Sequence, residues 1–452
     1  MRRPDFAVAT VVYFVAVLVA GGANAAGFAV NALLQLGGAA LIATCIWRPD
    51  PRGAIPVTGL RWFFAAFVVL ALVQFLPLPF GVWRHLPGRD EAAGALVMLD
   101  APKEWGTLSF SPWASLASLV WWIPALALFC ANLRSDSPSA PTLAKTVLGV
   151  ALASVALALV QRGGEVFYLY KITNFGAGTG FFANANHQAS FLLGSLALWA
   201  ALYVSERNER TPAGSDPTIA LAYYATALVL AAGVLLTGSV AGIGLLLPVG
   251  IGALVVTRAE LRVSLRLVVA IVGVLSLAAL GLAMSGILQD NFSGTAGGVG
   301  HNRFDYLRTG LVFLGQMAPL GSGLGTFVDL YPWFEPPASI GPTYVNHAHN
   351  DLVELLIETG IFGLAALGLF MAWWSGRVYA IWRAVKRNPY AQAGTILTGA
   401  VLVHSLVDYP LRTAAVSSLF AVACALIIRP YSVRSRRSAQ RASQPAEASV
   451  VI

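Results

Sequence analysis

The sequence predicts an all-α, polytopic membrane protein with about twelve transmembrane helices, and three observations carry that prediction. The 452-residue chain is 57% hydrophobic and only 11% charged, a balance that no water-soluble globular domain of this size tolerates. Its apolar residues fall into runs of about 17–25, the length needed to cross the hydrocarbon core of a bilayer. Its Lys and Arg residues concentrate in alternate connecting segments, as the positive-inside rule requires.

In chain order the apolar runs lie near 6–22, 27–46, 60–80, 116–132, 143–161, 181–204, 219–237, 240–257, 266–288, 352–375, 391–410 and 414–429. The segment "MRRPDFAVATVVYFVAVLVAGGANAA" has the build of a signal peptide, with a basic start, an apolar core and a small-residue end. Further spans follow it at once, so it reads as an uncleaved first helix. With Arg2 and Arg3 inside, the segments carrying Arg48, Arg52, Arg134, Arg207, Arg210, Arg258, Arg262, Arg377, Arg383, Lys386 and Arg387 also fall inside. Both termini are then cytoplasmic. The outside keeps few cations, Arg162, Lys171, Arg303, Arg308 and Arg412 among them, although it holds the longest loops. The net charge of +8 follows from this bias and implies no nucleic-acid partner.

Outside loops are expected over about 81–115 and 162–180, with the largest over about 289–351. No soluble domain interrupts residues 1–430, which read as a single transmembrane domain. Residues 431–452 are basic and poor in aromatics, and read as a disordered cytoplasmic tail on the anionic inner leaflet. Within the largest loop "QDNFSGTAGGVG" reads as linker, "HNRFDYLRTGLVFLGQM" as a short amphipathic helix, "APLGSGLGTF" as a glycine-rich turn, and "YPWFEPP" as an aromatic headgroup segment. The GxGxG string lacks a surrounding βαβ unit, so it reads as turn geometry and not as a nucleotide site. Cys45, Cys130 and Cys424 lie in or beside apolar spans without metal-type spacing and read as packing residues.

Titratable side chains concentrate at one place, "NHAHNDLVELLIETGIFG" over 346–363. Leu352, Leu355, Leu356 and Ile357 show a span beginning there, which puts His347 and His349 just outside the bilayer at a helix N-terminus. Such an end favours anions over a protonated imidazole, and imidazole is the side chain suited to accepting a proton near pH 7. Three readings stand side by side. One is a helix cap by Asn350 or Asp351, one a zinc site from His347, His349 and a carboxylate, and one a catalytic base.

His349 and Asn350, followed by nine residues and then Gly360-x-x-Gly363, resemble the signature of the O-antigen ligase and Wzy-type polymerase superfamily. The resemblance extends to "RFDYLRTGLVFLGQMAPLGSGLGTF" before it, to "HSLVDYPLR" after it, and to "GFFANANHQASFL" at an earlier helix start, together covering about 170–415. It implies a GT-C-like bacterial inner-membrane enzyme: an inverting, metal-independent glycosyltransferase without cofactor, its active site periplasmic. The implied donor is an oligo- or polysaccharide on undecaprenyl diphosphate. The implied acceptor is the lipid A core in a ligase, or another lipid-linked repeat in a polymerase, and the implied companions are membrane lipids and a chain-length regulator. On this resemblance His349 is the base and Arg303 the cation that clamps the departing diphosphate. Where family ligases often carry a second arginine, after a TGS-like turn, this chain reads "TGSVAG" with Val240. That difference leans the reading toward a polymerase and leaves Lys171, Arg162 or Arg412 to supply the charge, Lys171 being preferred. Asn184, Asn186, His187, His347 and Asn350 become candidate substrate contacts. Asp408 and Glu354 become candidates to orient His349 or to bind sugar hydroxyls. Two other classes are a twelve-helix secondary transporter, disfavoured by the lack of repeat symmetry, and a non-catalytic scaffold for polysaccharide assembly.

Overall fold

The computed structural model describes residues 5–24, 28–53, 60–101, 105–209, 217–258, 303–337 and 344–429, with isolated positions at 270, 274 and 340. The described chain is helical apart from one small ribbon. Its elements are α1 (Phe6–Ala20), α2 (Phe28–Trp47), α3 (Leu60–Val73), α4 (Phe80–Trp83), α5 (Asp90–Met98), α6 (Pro112–Val120), α7 (Ile123–Asn132), α8 (Ala140–Gly164), α9 (Ala185–Glu209), α10 (Pro217–Leu236), α11 (Val240–Thr257), α12 (Arg303–Met317), α13 (Phe327–Leu330), α14 (Asp351–Arg383), α15 (Pro389–His404) and α16 (Ala414–Ile428). The starts follow capping chemistry. Ser111, Ser139, Ser239, Asn350, Asn388 and Thr413 each accept a hydrogen bond from a first-turn amide, and Pro112 and Pro389 begin helices, where the missing N–H costs nothing.

By length and composition six of these helices can cross a membrane, in α2, α6–α7, α8, α9, α11 and α14; α1, α3, α10 and α16 are apolar but shorter. Every expected apolar run within the described residues holds helix, whereas nearly all of 266–288 lies outside them, as do 289–302 of the largest loop and the tail beyond 429. Two expected spans differ in detail. The run at 60–80 leaves helix after Val73, and the run at 116–132 divides at Trp121–Trp122. An all-α chain was expected, but the end of the 60–80 run, Pro77–Pro79 (β1), pairs antiparallel with Trp105–Thr107 (β2) from the segment expected as the first outside loop, beside α4.

Helix α9 lies at the centre: 89% of its apolar window is buried, against 22% for α2, which is peripheral. Its fully buried Ala189, Ala197, Ala200 and Ala201 let α8, α10, α11 and α15 approach closely. Loop contacts sort the connecting segments onto two ends of the bundle. At one end Arg134 donates to the carbonyls of Cys45, Arg48 and Pro49 at 2.8–3.1 Å, and Arg429 donates to the carbonyl of Pro138 at 2.9 Å. At the other end the amide of Ala183 reaches the carbonyl of Gly22, that of Ala415 the carbonyl of Gly21, and that of Asp351 the carbonyl of Ser405. The first end gathers basic connectors and the second gathers the polar chemistry.

Candidate active site at the mouth of helix α14

Helix α14 runs for 33 residues but breaks at Gly360, whose φ of 54° and ψ of −137° are non-helical. A Cβ there would stand 2.1 Å from the carbonyl oxygen of Pro319 and 2.6 Å from the carbonyl carbon of Leu320, so only glycine fits. The break frees two carbonyls, and the glycine-rich turn takes them up. Ser322 N–H donates to Ile357 O at 2.9 Å, Gly323 N–H to Glu358 O at 2.8 Å, and Ile361 N–H returns the contact to Pro319 O at 2.8 Å. Gly321, Gly323 and Gly325 all have positive φ. The GxGxG string is therefore a turn, as expected, and it also clamps the backbone of α14.

Before the break, Asp351, Glu354 and Glu358 stand at i, i+3 and i+7, one face of the helix. Arg412, from the loop between α15 and α16, meets all three: Nε is 3.5 Å from Asp351 Oδ1, Nη2 is 3.3 Å from Glu354 Oε1, and Nη1 is 3.3 Å from Glu358 Oε2. Burial alone would lower this guanidinium, but Glu354, Glu358 and Asp351 outweigh it and hold it charged well above its ordinary range. Ser405 donates to Asp351 Oδ2 at 2.8 Å and fastens α15 to the same cluster.

His347 is tied on both sides. The Asn24 amide donates to Nε2 at 2.7 Å, which leaves Nδ1–H to donate to Glu354 Oε1 at 2.8 Å, while Glu354 Oε2 accepts from the amide of Ala348 at 2.8 Å. Glu354 thus orients His347 and not His349. His349 sits in the left-handed region, with φ of 49°, a conformation His tolerates better than most residues. Its Nδ1 is 3.6 Å from Asp408 Oδ1 and has no hydrogen-bond partner among the described residues. Its ring stacks on Tyr306 of α12 at 5.2 Å and 16° and meets Tyr409 edge-on at 5.0 Å.

Tyr409 is the hub. Its buried ring also meets His347 at 4.3 Å and His187 at 5.0 Å, and its hydroxyl receives the side-chain amide of Asn346 at 3.2 Å. Burial, and then the neighbouring Asp408, push its phenol up, so it stays protonated. His187 is 2% exposed, and neither ring nitrogen has a hydrogen-bond partner among the described residues. His404 Nδ1 pairs with the Ser190 hydroxyl at 2.7 Å. Four of the six histidines in the chain, His187, His347, His349 and His404, therefore ring the Asp408–Tyr409 turn.

Residues 225–368 match the model of the O-antigen ligase family, Wzy_C. That match supports the O-antigen ligase and Wzy-type superfamily for this chain. No curated protein matches the chain. The O-antigen ligase region takes in Arg303, His347, His349, Asn350 and Glu354. Lys171, Asn184, Asn186, His187, Asp408 and Arg412 lie outside it.

The structure gathers most, not all, of the expected residues of this ligase-like site. His347, His349, Glu354, Asp408, Arg412 and His187 meet around Tyr409. Asn350 caps α14, accepting from the amide of Val353 at 3.0 Å and donating to Leu406 O at 2.8 Å. Asn184 caps α9, accepting from the amide of Asn186 at 2.8 Å, and also reaches Tyr409. Asn186 is half-buried beside it, and Lys171 is exposed in the 165–184 loop, with no contact to the cluster among the described residues. Arg303 is the first residue of α12, one turn before Tyr306, and its side chain lies outside the described residues. Val240 packs beside Val407, next to Asp408. Among the described residues, no group of three or more His, Cys, Asp and Glu side chains is arranged to hold a metal ion. Sequence reading did not single out Asn24, Tyr306, Asp351 as an Arg412 ligand, Glu358 or Tyr409. The spacing of Asp351, Glu354 and Glu358 was a readable signal, whereas nothing local announces a contact between Asn24 and His347.

Proposed function

We infer from the family match an O-antigen ligase-like, glycosyltransferase-type activity in a membrane protein. We propose that the chain moves an oligo- or polysaccharide from undecaprenyl diphosphate to a hydroxyl of a glycan acceptor at the periplasmic face of the inner membrane, with inversion at the anomeric carbon and without a metal ion. The observation that carries this reading is the partly exposed His349, with Asp408 at its Nδ1, inside a buried polar cluster at the mouth of α14. With its proton on Nδ1 facing Asp408, the imidazole presents Nε2 as a base, the logic of a carboxylate-oriented histidine. The acceptor hydroxyl gives its proton to Nε2 as its oxygen bonds to the anomeric carbon. The bond from that carbon to the phosphate oxygen breaks, and the diphosphate leaves with the electron pair. A guanidinium suits that charge, and Arg303 is assigned to it. Arg412 is already engaged by three carboxylates, so its assigned role is to hold the cluster together. Lys171 is assigned to donor capture at the membrane surface, and Asn184, Asn186, His187, His347 and Asn350 to contacts with the glycan.

The test uses purified protein in proteoliposomes with an undecaprenyl-diphosphate glycan and acceptor. His349→Ala should lower transfer by about 10²–10⁴, and Arg303→Ala by about 10²–10³. Full glycan output from both variants would leave a scaffold, and glycan uptake that survives His349→Ala would indicate a transporter. In a deletion strain, single repeats mark a polymerase, and full-length chains stranded on the carrier mark a ligase.

A further inference from the structure

The ring of Tyr306 links the outside helix to the base. Helix α12 presents Tyr306, Gly310, Phe313 and Met317 along one face, a helical stripe. That stripe seats on the opening turns of α14. A Cβ at Gly310 would lie 3.4 Å from Val353 and 3.7 Å from Ile357, and Phe313 and Met317 pack with Val345, Ala348, Val353 and Ile357. Tyr306 packs against this apolar seat and also stacks on the His349 imidazole, at 5.2 Å between ring centroids and 16°. Tyr409 meets His349 edge-on, at 5.0 Å and 69°, so Tyr306 is the only near-parallel ring against the imidazole among the described residues. Helix α12 also begins at Arg303, one turn from Tyr306.

We propose that Tyr306 is a positioning residue for glycan transfer: its stacked ring fixes the plane of the His349 imidazole. This rests on the reading of His349 as the base. A group that aligns the base acts on turnover more than on binding, because a base displaced by about 1 Å costs on the order of 100-fold in rate.

The experiment measures kcat, KM and the pH profile of transfer for four variants in proteoliposomes. Tyr306→Phe keeps the ring and should retain activity within about twofold. Tyr306→Leu keeps apolar volume but no ring face; its kcat should fall on the order of 100-fold, with KM little changed and the acid limb of the profile displaced. Phe313→Leu loosens the same seat without touching His349; it should lower the melting temperature and leave the acid limb in place. His349→Ala reports on the underlying reading. If it stays active, that reading fails. If His349→Ala is inactive while Tyr306→Leu keeps full kcat, or if Phe313→Leu displaces the acid limb as much as Tyr306→Leu does, the positioning role is overturned and the base assignment stands.

Discussion

Arg412 illustrates how much one residue carries at this site. Three carboxylates converge on one guanidinium in a buried place, and removing the cation would leave the ionised ones among them without their counter-charge. Breaking a buried pair from one side costs about 3–5 kcal/mol, chiefly through the charge left behind. Arg412→Met should therefore lower stability by about that amount at neutral pH, read as thermal unfolding of the purified protein in detergent. Adding Asp351→Asn and Glu358→Gln should restore more than half of the loss, since they remove the stranded charge and leave Glu354 to His347. A change within about 0.5 kcal/mol for Arg412→Met, the range of an ordinary surface substitution, would mean the cluster is not a stabilising unit. At this scale the sequence was informative about residue type and weak about partnership. His347, His349, Asp408 and Arg412 were visible as polar groups at span ends, but Glu354 turned out to serve His347 because the left-handed backbone at His349 redirects the chain between them. Tyr409 escaped notice because an aromatic near a span end is ordinary, and its role arises only where segments 187, 347 and 349 converge on it.

Helix α14 resolves why a span should begin with so many acids and contain a Gly-x-x-Gly. A continuous 33-residue helix would measure about 50 Å, well beyond the roughly 30 Å of hydrocarbon. Residues 361–383 alone give about 34 Å, a fair match, while Asp351–Thr359 forms a separate segment that holds the carboxylates. The break at Gly360 is thus where the chemistry-bearing segment and the spanning segment are joined, and the glycine-rich turn fills the hydrogen bonds lost there. Gly360→Ala meets both a left-handed backbone and Pro319 O. The conformational cost alone is about 1–3 kcal/mol, and relieving the clash must move the 319–325 turn and with it α12. Transfer should fall at least tenfold, and protease cleavage within the 318–325 turn should accelerate. Wild-type cleavage and transfer rates in Gly360→Ala would show that the clamp is not needed. The helix at 303–317 and the turn after it were legible from periodicity and glycine content. The docking of that turn onto a helix break was not, because it depends on the φ and ψ of one residue 35 or more positions further along the chain than the turn it receives.

For the whole molecule, the sorting of loops onto two ends is the strongest architectural constraint. Arg48, Arg134 and Arg429 meet at one end through carbonyl contacts, and the candidate site gathers loops near 24, 184, 347 and 409 at the other. The alternation of basic segments read from the sequence demands this division, since it sends 48, 134 and 429 to one side and 24, 184, 347 and 409 to the opposite side. Hydropathy made the spans legible because an apolar run reports its own burial in lipid. It could not report which helix is central, and α9 takes that place through small residues that permit close approach, not through greater hydropathy. If the positive-inside reading is right, the site faces the periplasm. Single cysteines at Lys171 and Arg207 test this, because both positions are exposed, Lys171 in the loop before α9 and Arg207 in the last turn of that helix, while Cys45, Cys130 and Cys424 are partly or wholly buried and can be replaced by serine or alanine. In intact cells with a permeable outer membrane, a membrane-impermeant maleimide should label Lys171→Cys promptly and Arg207→Cys only after the inner membrane is opened. Electrostatics alone ranks the two orientations, since short basic loops resist translocation. Labelling in the reverse order would invert the molecule and place the His349 cluster in the cytoplasm, where no donor on the outer leaflet could reach it.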